Sequence, residues 1–151
     1  MQVHLASYDK PLPVADDDSQ GFWEGARNHR LAFQRCQHCG TFAHPPAAFC
    51  ERCHNLAEPS FAFEAVSGRG RIVNWTIMRQ AMVAGFEGDV PWVHALIEID
   101  EQPGLLYACA LEDGPSDLLK IGAPVQVTFH DVTPEVTIPY FMLVSSTGSG
   151  C

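Results

Sequence analysis

Two cysteine pairs, Cys36-Gln-His-Cys39 and Cys50-Glu-Arg-Cys53, separated by ten residues, constrain this chain more than any other stretch. Each Cys-x-x-Cys pair can present two sulfurs to one tetrahedral ion, so Cys36, Cys39, Cys50 and Cys53 together fill a four-coordinate shell. The spacer is shorter than in the commonest form of the pattern, yet ten residues suffice for a minimal hairpin excursion. Gly40 follows the first pair, where a knuckle turns sharply and positive φ is favoured. Asn55 is expected to serve the second pair in the same way, since Asn tolerates the left-handed region. Gly40-Thr-Phe-Ala-His-Pro45-Pro46 reads as a short strand leaving the first knuckle and ending at a proline turn. Zinc is the expected ion, with iron in the same tetrathiolate geometry as its competitor. A disulfide reading is weaker, because no secretory signal pattern opens the sequence and reduced cysteines so spaced are more often ligands. A thioredoxin-like redox pair would be a single motif beside a βαβ unit, not two in a loop-rich stretch. His38, His44 and His54 lie nearby and are expected to be exposed, because four thiolates already complete the shell.

The length of 151 residues fits one domain or a small module attached to a larger one, and a 46% hydrophobic fraction is enough for a real core. No apolar run approaches the roughly 20 residues of a membrane span. A cytoplasmic protein with no membrane partner is expected. The formal net charge is −9, and four thiolates on a divalent ion would take it to about −11. That opposes general nucleic-acid binding, which calls for a basic face. The charge is uneven: residues 24–79 carry seven Arg against four Glu, whereas residues 80–151 carry only Lys120 against ten acids. Arg69, Arg71 and Arg79 thus offer a local basic face for an anion on an otherwise acidic module, unless the clustering is simply that of a solvated surface.

Residues 1–34 read as an irregular arm, broken by Pro11 and Pro13, followed by an amphipathic helix. Asp18 or Ser19 can cap that helix near Gln20, and Phe22, Trp23 and Ala26 fall on one face. Residues 35–58 form the ribbon, led in by a short strand from Leu31 to Arg35. From Phe61 the period changes to two. Strands are expected at Phe61–Val66, Arg71–Arg79, Trp92–Glu101, Leu105–Leu111 and Val125–Asp131. Gly70 is expected to allow a bulge, and Ser116 and Gly122 to bracket a helical turn. Val136–Val144 reads as an edge segment demoted by Pro139. Five strands with one short helix before the last suggest a mainly β chain: N-terminal helix, rubredoxin-like zinc ribbon, then a five-stranded OB-fold barrel over residues 59–144. A sandwich is the alternative, and residues 145–151 read as a flexible tail.

The order of parts is recognisable. Phe22-Trp23-Glu24-Gly25, the cysteine ribbon, Val66-Ser67-Gly68-Arg69-Gly70-Arg71-Ile72-Val73 and Ile121-Gly122-Ala123-Pro124-Val125-Gln126-Val127 together resemble the acyl-CoA-associated zinc-ribbon/OB-fold family, formerly a domain of unknown function. The resemblance covers about residues 20–142. It implies a small, non-catalytic partner of thiolase-fold enzymes: thiolases, acyltransferases, or retro-aldol lyases that shorten steroid side chains. In that role it would complete or stabilise an acyl-CoA site within a hetero-oligomer.

The residues themselves fit a chain without its own active site. There is no Gly-x-Ser-x-Gly elbow, phosphate-binding glycine loop or His-Glu-x-x-His. Cys109, His94 and His130 lie within expected strands and read as structural or surface groups rather than as nucleophile or bases. Phe22, Trp23, Phe86 and Trp92 are the candidate partner anchors, because large aromatics on an outlying helix or a Gly-flanked loop are costly to leave wet. Local packing is the alternative for each. Arg69, Arg71 and Arg79 are the candidate CoA contacts. Two other functions compete: a nucleic-acid-binding ribbon and OB fold stacking bases on Trp75, Phe86 and Trp92, and a rubredoxin-like iron electron carrier.

Overall fold

A computed structural model describes residues 8–145. The first seven residues of the arm and nearly all of the expected tail lie outside the described residues. Helix α1 (Gln20–Arg27) precedes strands β1 (Ala32–Cys36), β2 (Phe42–Ala43) and β3 (Phe61–Ala65), which form a sheet in the order β2-β1-β3. Strands β4 (Arg69–Met78), β5 (Trp92–Ile99), β6 (Leu106–Ala110), β7 (Pro124–Asp131) and β8 (Thr137–Leu143) form a second sheet in the order β6-β5-β4-β7-β8. All pairings within these sheets are antiparallel. A parallel bridge between Leu111 and Phe141 brings the end of β6 onto β8 and nearly closes the barrel. This is the five-stranded OB barrel expected from the sequence.

The membership of the barrel differs from the expectation in one respect. Phe61–Ala65 pairs along its whole length with β1 and so extends the ribbon sheet. The fifth barrel strand is instead Thr137–Leu143, a full strand despite Pro139. Pro139 lies opposite Phe129, and the Tyr107 hydroxyl donates to its carbonyl at 3.2 Å from the side of β6. The backbone of Pro139 therefore points away from the β7 ladder, where a missing N–H breaks no bond. The bulge in β4 falls at Val73 rather than at Gly70. Gly70 is required by close approach, because a Cβ there would stand 2.5 Å from the Glu98 carbonyl oxygen. The stretch around Ser116–Gly122 makes turns instead of a helix.

The alternation read in β5 is borne out: Val93, Ala95, Ile97 and Ile99 are all buried. They join Ile72, Tyr107, Val125 and Phe141 in the core. Helix α1 ends at Arg27, and Leu31 is buried on the segment that follows. Its start is organised by Asp16, whose carboxylate accepts from the Ser19 amide at 2.8 Å and from the Ser19 hydroxyl. The helix lies directly on the ribbon sheet through two glycines. A Cβ on Gly21 would stand 2.2 Å from the Phe63 ring, and one on Gly25 would stand 2.9 Å from the Ala32 Cβ.

Gly21→Ala sets two effects against each other. Alanine gains about 1 kcal/mol of helix propensity, while overpacking costs about 1–3 kcal/mol. The contact with Phe63 decides the sign. Gly21→Ala should lower the melting temperature by several degrees, whereas Gly114→Ala, with nothing within 4 Å of its Cβ, should leave it nearly unchanged; thermal melts of both variants check this.

Candidate metal centre and contact surface

The four sulfurs of Cys36, Cys39, Cys50 and Cys53 lie within 4.8 Å of one another. Cys36 Sγ is 3.7 Å from Cys53 Sγ, and Cys39 Sγ is 3.5 Å from Cys50 Sγ. A tetrahedral ion with metal–sulfur bonds of about 2.3 Å requires sulfur–sulfur edges of about 3.8 Å, so the residues present fit such an ion. Disulfides, with sulfurs about 2.0 Å apart, are excluded by these distances, and all four cysteines are free. With four protein ligands the shell is closed, leaving no open coordination position at which a metal could take a substrate.

Local backbone bonding shapes each knuckle. The Gly40 amide donates to the Cys36 carbonyl at 2.9 Å, and Gly40 takes φ +75° as expected. At the second knuckle the equivalent bond runs from the His54 amide to the Cys50 carbonyl at 2.9 Å. The left-handed residue there is His54, at φ 54°, not Asn55. Register explains the correction: His54 follows Cys53 as Gly40 follows Cys39. The Asn55 side chain instead accepts from the Ala57 amide at 2.9 Å. Backbone amides of Cys39 and His38 directed at the Cys36 sulfur favour its thiolate and lower its pKa. Thr41, through its hydroxyl and its amide, draws the Cys39 thiol down to about 6.

Two glutamines complete the site, and nothing in the sequence singled them out. Buried Gln34 on β1 donates to the Ala47 carbonyl at 3.1 Å and accepts from the Ala47 amide at 2.7 Å, tying down the excursion between the cysteine pairs. Gln102, between β5 and β6, makes the same paired contact with Phe42 of β2, at 2.8 and 3.0 Å. Each side-chain amide offers the donor and acceptor of a peptide unit, so each acts as a one-residue strand.

His44 is half-buried, not exposed. Its ring packs on Phe22 at 5.6 Å, Phe33 at 4.9 Å and Tyr107 at 5.5 Å between centroids, and burial lowers its pKa. His38 is exposed as expected, with Nε2 2.7 Å from the Ala57 carbonyl oxygen.

The candidate contact residues fall into separate places. Phe22 is only 5% exposed and belongs to the core, so its ring offers little area to a partner. Trp23 meets Phe22 edge-on at 4.9 Å and lines a recess of about 410 Å³ with Pro13, Arg27 and Glu135. Phe86 and Trp92 lie together, with centroids 5.5 Å apart, in a groove of about 460 Å³ at one end of the barrel. Arg69 and Arg71 stand at the start of β4, while Arg79 follows its end, where Met78 pairs with Trp92. Ten strand residues span roughly 30 Å, so the three arginines do not form one anion-binding face. Cys109 is 6% exposed, and burial pushes its thiol up to about 12, which makes it inert as a nucleophile.

These features define a class: a zinc-ribbon-like tetrathiolate module built onto an OB-fold barrel. Two family models match, the rubredoxin-like zinc ribbon domain of ChsH2 over residues 23–57 and the C-terminal OB-fold domain of ChsH2 over residues 63–130. The chain thus carries matches to both ChsH2-type domains, the ribbon and then the OB fold. It is similar to the "probable enoyl-CoA hydratase alpha subunit" of Thermomonospora curvata, at 31% identity over 87% of this chain. It is also similar to the 3-oxo-4,17-pregnadiene-20-carboxyl-CoA hydratase alpha subunit of Mycobacterium tuberculosis, at 29% identity over 79%. It spans 39% and 36% of the length of these two relatives. Among solved structures it resembles a chain of the Ltp2-ChsH2(DUF35) aldolase, with TM-score 0.74 and 29% identity over 87% of this chain and 98% of that one. A DUF35-family protein of unknown function from Sulfolobus solfataricus shares the fold, with TM-score 0.56 and 17% identity over 86% and 87% of the two chains.

Two outcomes are expected here. Structural zinc contributes about 10–16 kcal/mol in small modules, comparable with a domain's whole stability of about 5–15 kcal/mol. Cys39→Ser should therefore lower metal content below one ion per chain and sharply lower the melting temperature, as elemental analysis and calorimetry would register. His44 is held neutral in the fold, so the unfolded chain binds the extra proton. Its contribution is full above about pH 6.5 and is lost as pH falls through that value toward the lowered folded pKa. Between pH 7.5 and 5.5, at constant metal content, His44→Phe should lose less thermal stability than the wild type.

Proposed function

We propose that this chain is a non-catalytic accessory subunit of a thiolase-fold acyl-CoA enzyme, with a structural zinc ion in its ribbon. The observation that carries the reading is the near-complete correspondence with a chain of the Ltp2-ChsH2(DUF35) aldolase, a two-protein enzyme by its description. Two relatives described as CoA-thioester hydratase alpha subunits support acyl-CoA chemistry, and the Mycobacterium tuberculosis relative points toward steroid-derived thioesters. The chain's own residues support a supporting role. The metal shell is filled by protein sulfur, and Cys109 is sealed in the core. Ser67 is committed to its turn, bonding the Glu101 carboxylate through amide and hydroxyl. The partner would then supply the nucleophile or base.

Among the described residues no helix is long and apolar enough to cross a membrane. Trp23 and the Phe86–Trp92 pair are the anchors this reading retains. A central anchor typically contributes about 2 kcal/mol or more, roughly 30-fold in affinity.

Co-expression with thiolase-fold candidates should yield one stable complex that turns over an acyl-CoA, while the purified chain alone does not. Acyl-CoA cleavage or condensation by the isolated chain, with partner contamination excluded, would overturn the reading. Within the complex, Trp23→Ala or Trp92→Ala should weaken assembly about 30-fold with little change in the subunit's own melting temperature.

A further inference from the structure

The groove that holds Phe86 and Trp92 is not empty of protein. Part of its wall is the N-terminal arm, which lays Tyr8 and Lys10 across the end of the barrel. The Lys10 side chain is only 19% exposed, and its Nζ stands 3.1 Å from the Asp89 carboxylate. The same ammonium lies 5.3 Å from the centroid of the Phe86 ring and 5.6 Å from that of Tyr8. A carboxylate and two aromatic faces around one cation form a recess suited to an ammonium or guanidinium group.

Three observations indicate that this occupant can be exchanged. First, among the described residues no backbone–backbone hydrogen bond runs from residues 8–15 to the barrel. The arm is held there by the Lys10–Asp89 pair, the ring contacts and the approach of Asp9 to Gly85. A partly exposed ion pair of this kind contributes little net stability. Second, the other acids of the groove are engaged within the barrel. Glu112 accepts from the Thr128 hydroxyl at 2.6 Å and contacts His130, while Asp113 accepts from the Leu143 amide at 2.7 Å. Asp89 is the acid that faces the arm. Third, the charge fits a basic visitor, because residues 80–151 carry ten acids against Lys120.

We propose that this recess is a docking site for a basic side chain on an extended segment of a partner protein, and that Lys10 is its internal stand-in. The arm acts as a strap: it covers the aromatic walls Phe86, Trp92 and Tyr140 in the free chain and is lifted when an external arginine or lysine takes its place. The proposal depends on the accessory-subunit reading only for the identity of the partner.

The test uses the full chain and a hexa-arginine peptide, titrated by calorimetry at 150 mM salt, where long-range attraction is screened beyond about 8 Å. Lys10→Ala vacates the recess and should bind the peptide at least ten-fold more tightly than the wild type. Adding Asp89→Asn, or separately Phe86→Ala, to Lys10→Ala should abolish that gain. Metal content and melting temperature verify that each variant is folded, and Glu135→Gln, an acid outside the recess, controls for net charge. Equal binding by the wild type and Lys10→Ala, or a gain that survives Asp89→Asn, would overturn the docking site. So would a loss of the gain in Glu135→Gln equal to that in Asp89→Asn. Any of these results would leave the accessory-subunit reading standing, because that reading is decided by co-purification and turnover.

Discussion

The parts of this protein are held together by one group of interleaved rings. Phe22 from α1, Phe33 from β1, His44 beyond β2, Tyr107 from β6 and Phe141 from β8 pack with centroids about 5–6 Å apart. None of the elements that carry the first three could stand alone. An eight-residue helix is marginal in water, and a three-stranded sheet with a two-residue edge buries too little apolar surface. The rings give helix, ribbon and barrel a common interior, so the metal module is an outgrowth of the barrel's core.

The polar bonding follows the same plan. Where the ribbon meets the barrel, Gln102 completes the edge of β2; where the cysteine excursion folds back, Gln34 of β1 holds the Ala47 peptide groups. Among the described residues no buried side-chain nitrogen or oxygen lacks a partner. An imperfect joint there would leave peptide groups dry and unpaired, at about 1–3 kcal/mol each.

What was legible in the sequence was local. The cysteine spacing defined the metal shell, since the chemistry of four thiolates leaves few alternatives. Period-two alternation located β5 and β7, because each has one face on the core. Their order, taken with the ribbon and the Ser67–Gly70 turn, was enough to point to the family. What was not legible depended on partners distant in the chain. Phe22 read as an outlying aromatic until Phe33 and Tyr107 enclosed it. Phe61–Ala65 has a strand's pattern in either sheet, and only the pairing with β1 decides between them. Pro139 lowers strand propensity on its own account, and Tyr107 supplies what makes it acceptable. The three arginines lie close in sequence, but ten strand residues set Arg71 and Arg79 at opposite ends of β4.

The seam between β6 and β8 has a mechanical meaning. Elsewhere adjacent barrel strands are laced by three to eight paired residues, whereas this edge is joined at Leu111 and Phe141, with the Glu112 amide on the Phe141 carbonyl and the Tyr107 hydroxyl beside it. The barrel is thus a rolled sheet fastened by a few separate bonds between Pro139 and Leu143 rather than a uniformly hooped cylinder. Leu111, Glu112 and Tyr140, which flank that fastening, also line the groove containing Trp92. Compliance and ligand-facing surface coincide there, so the wall that meets a visitor is also the wall best able to yield to its shape.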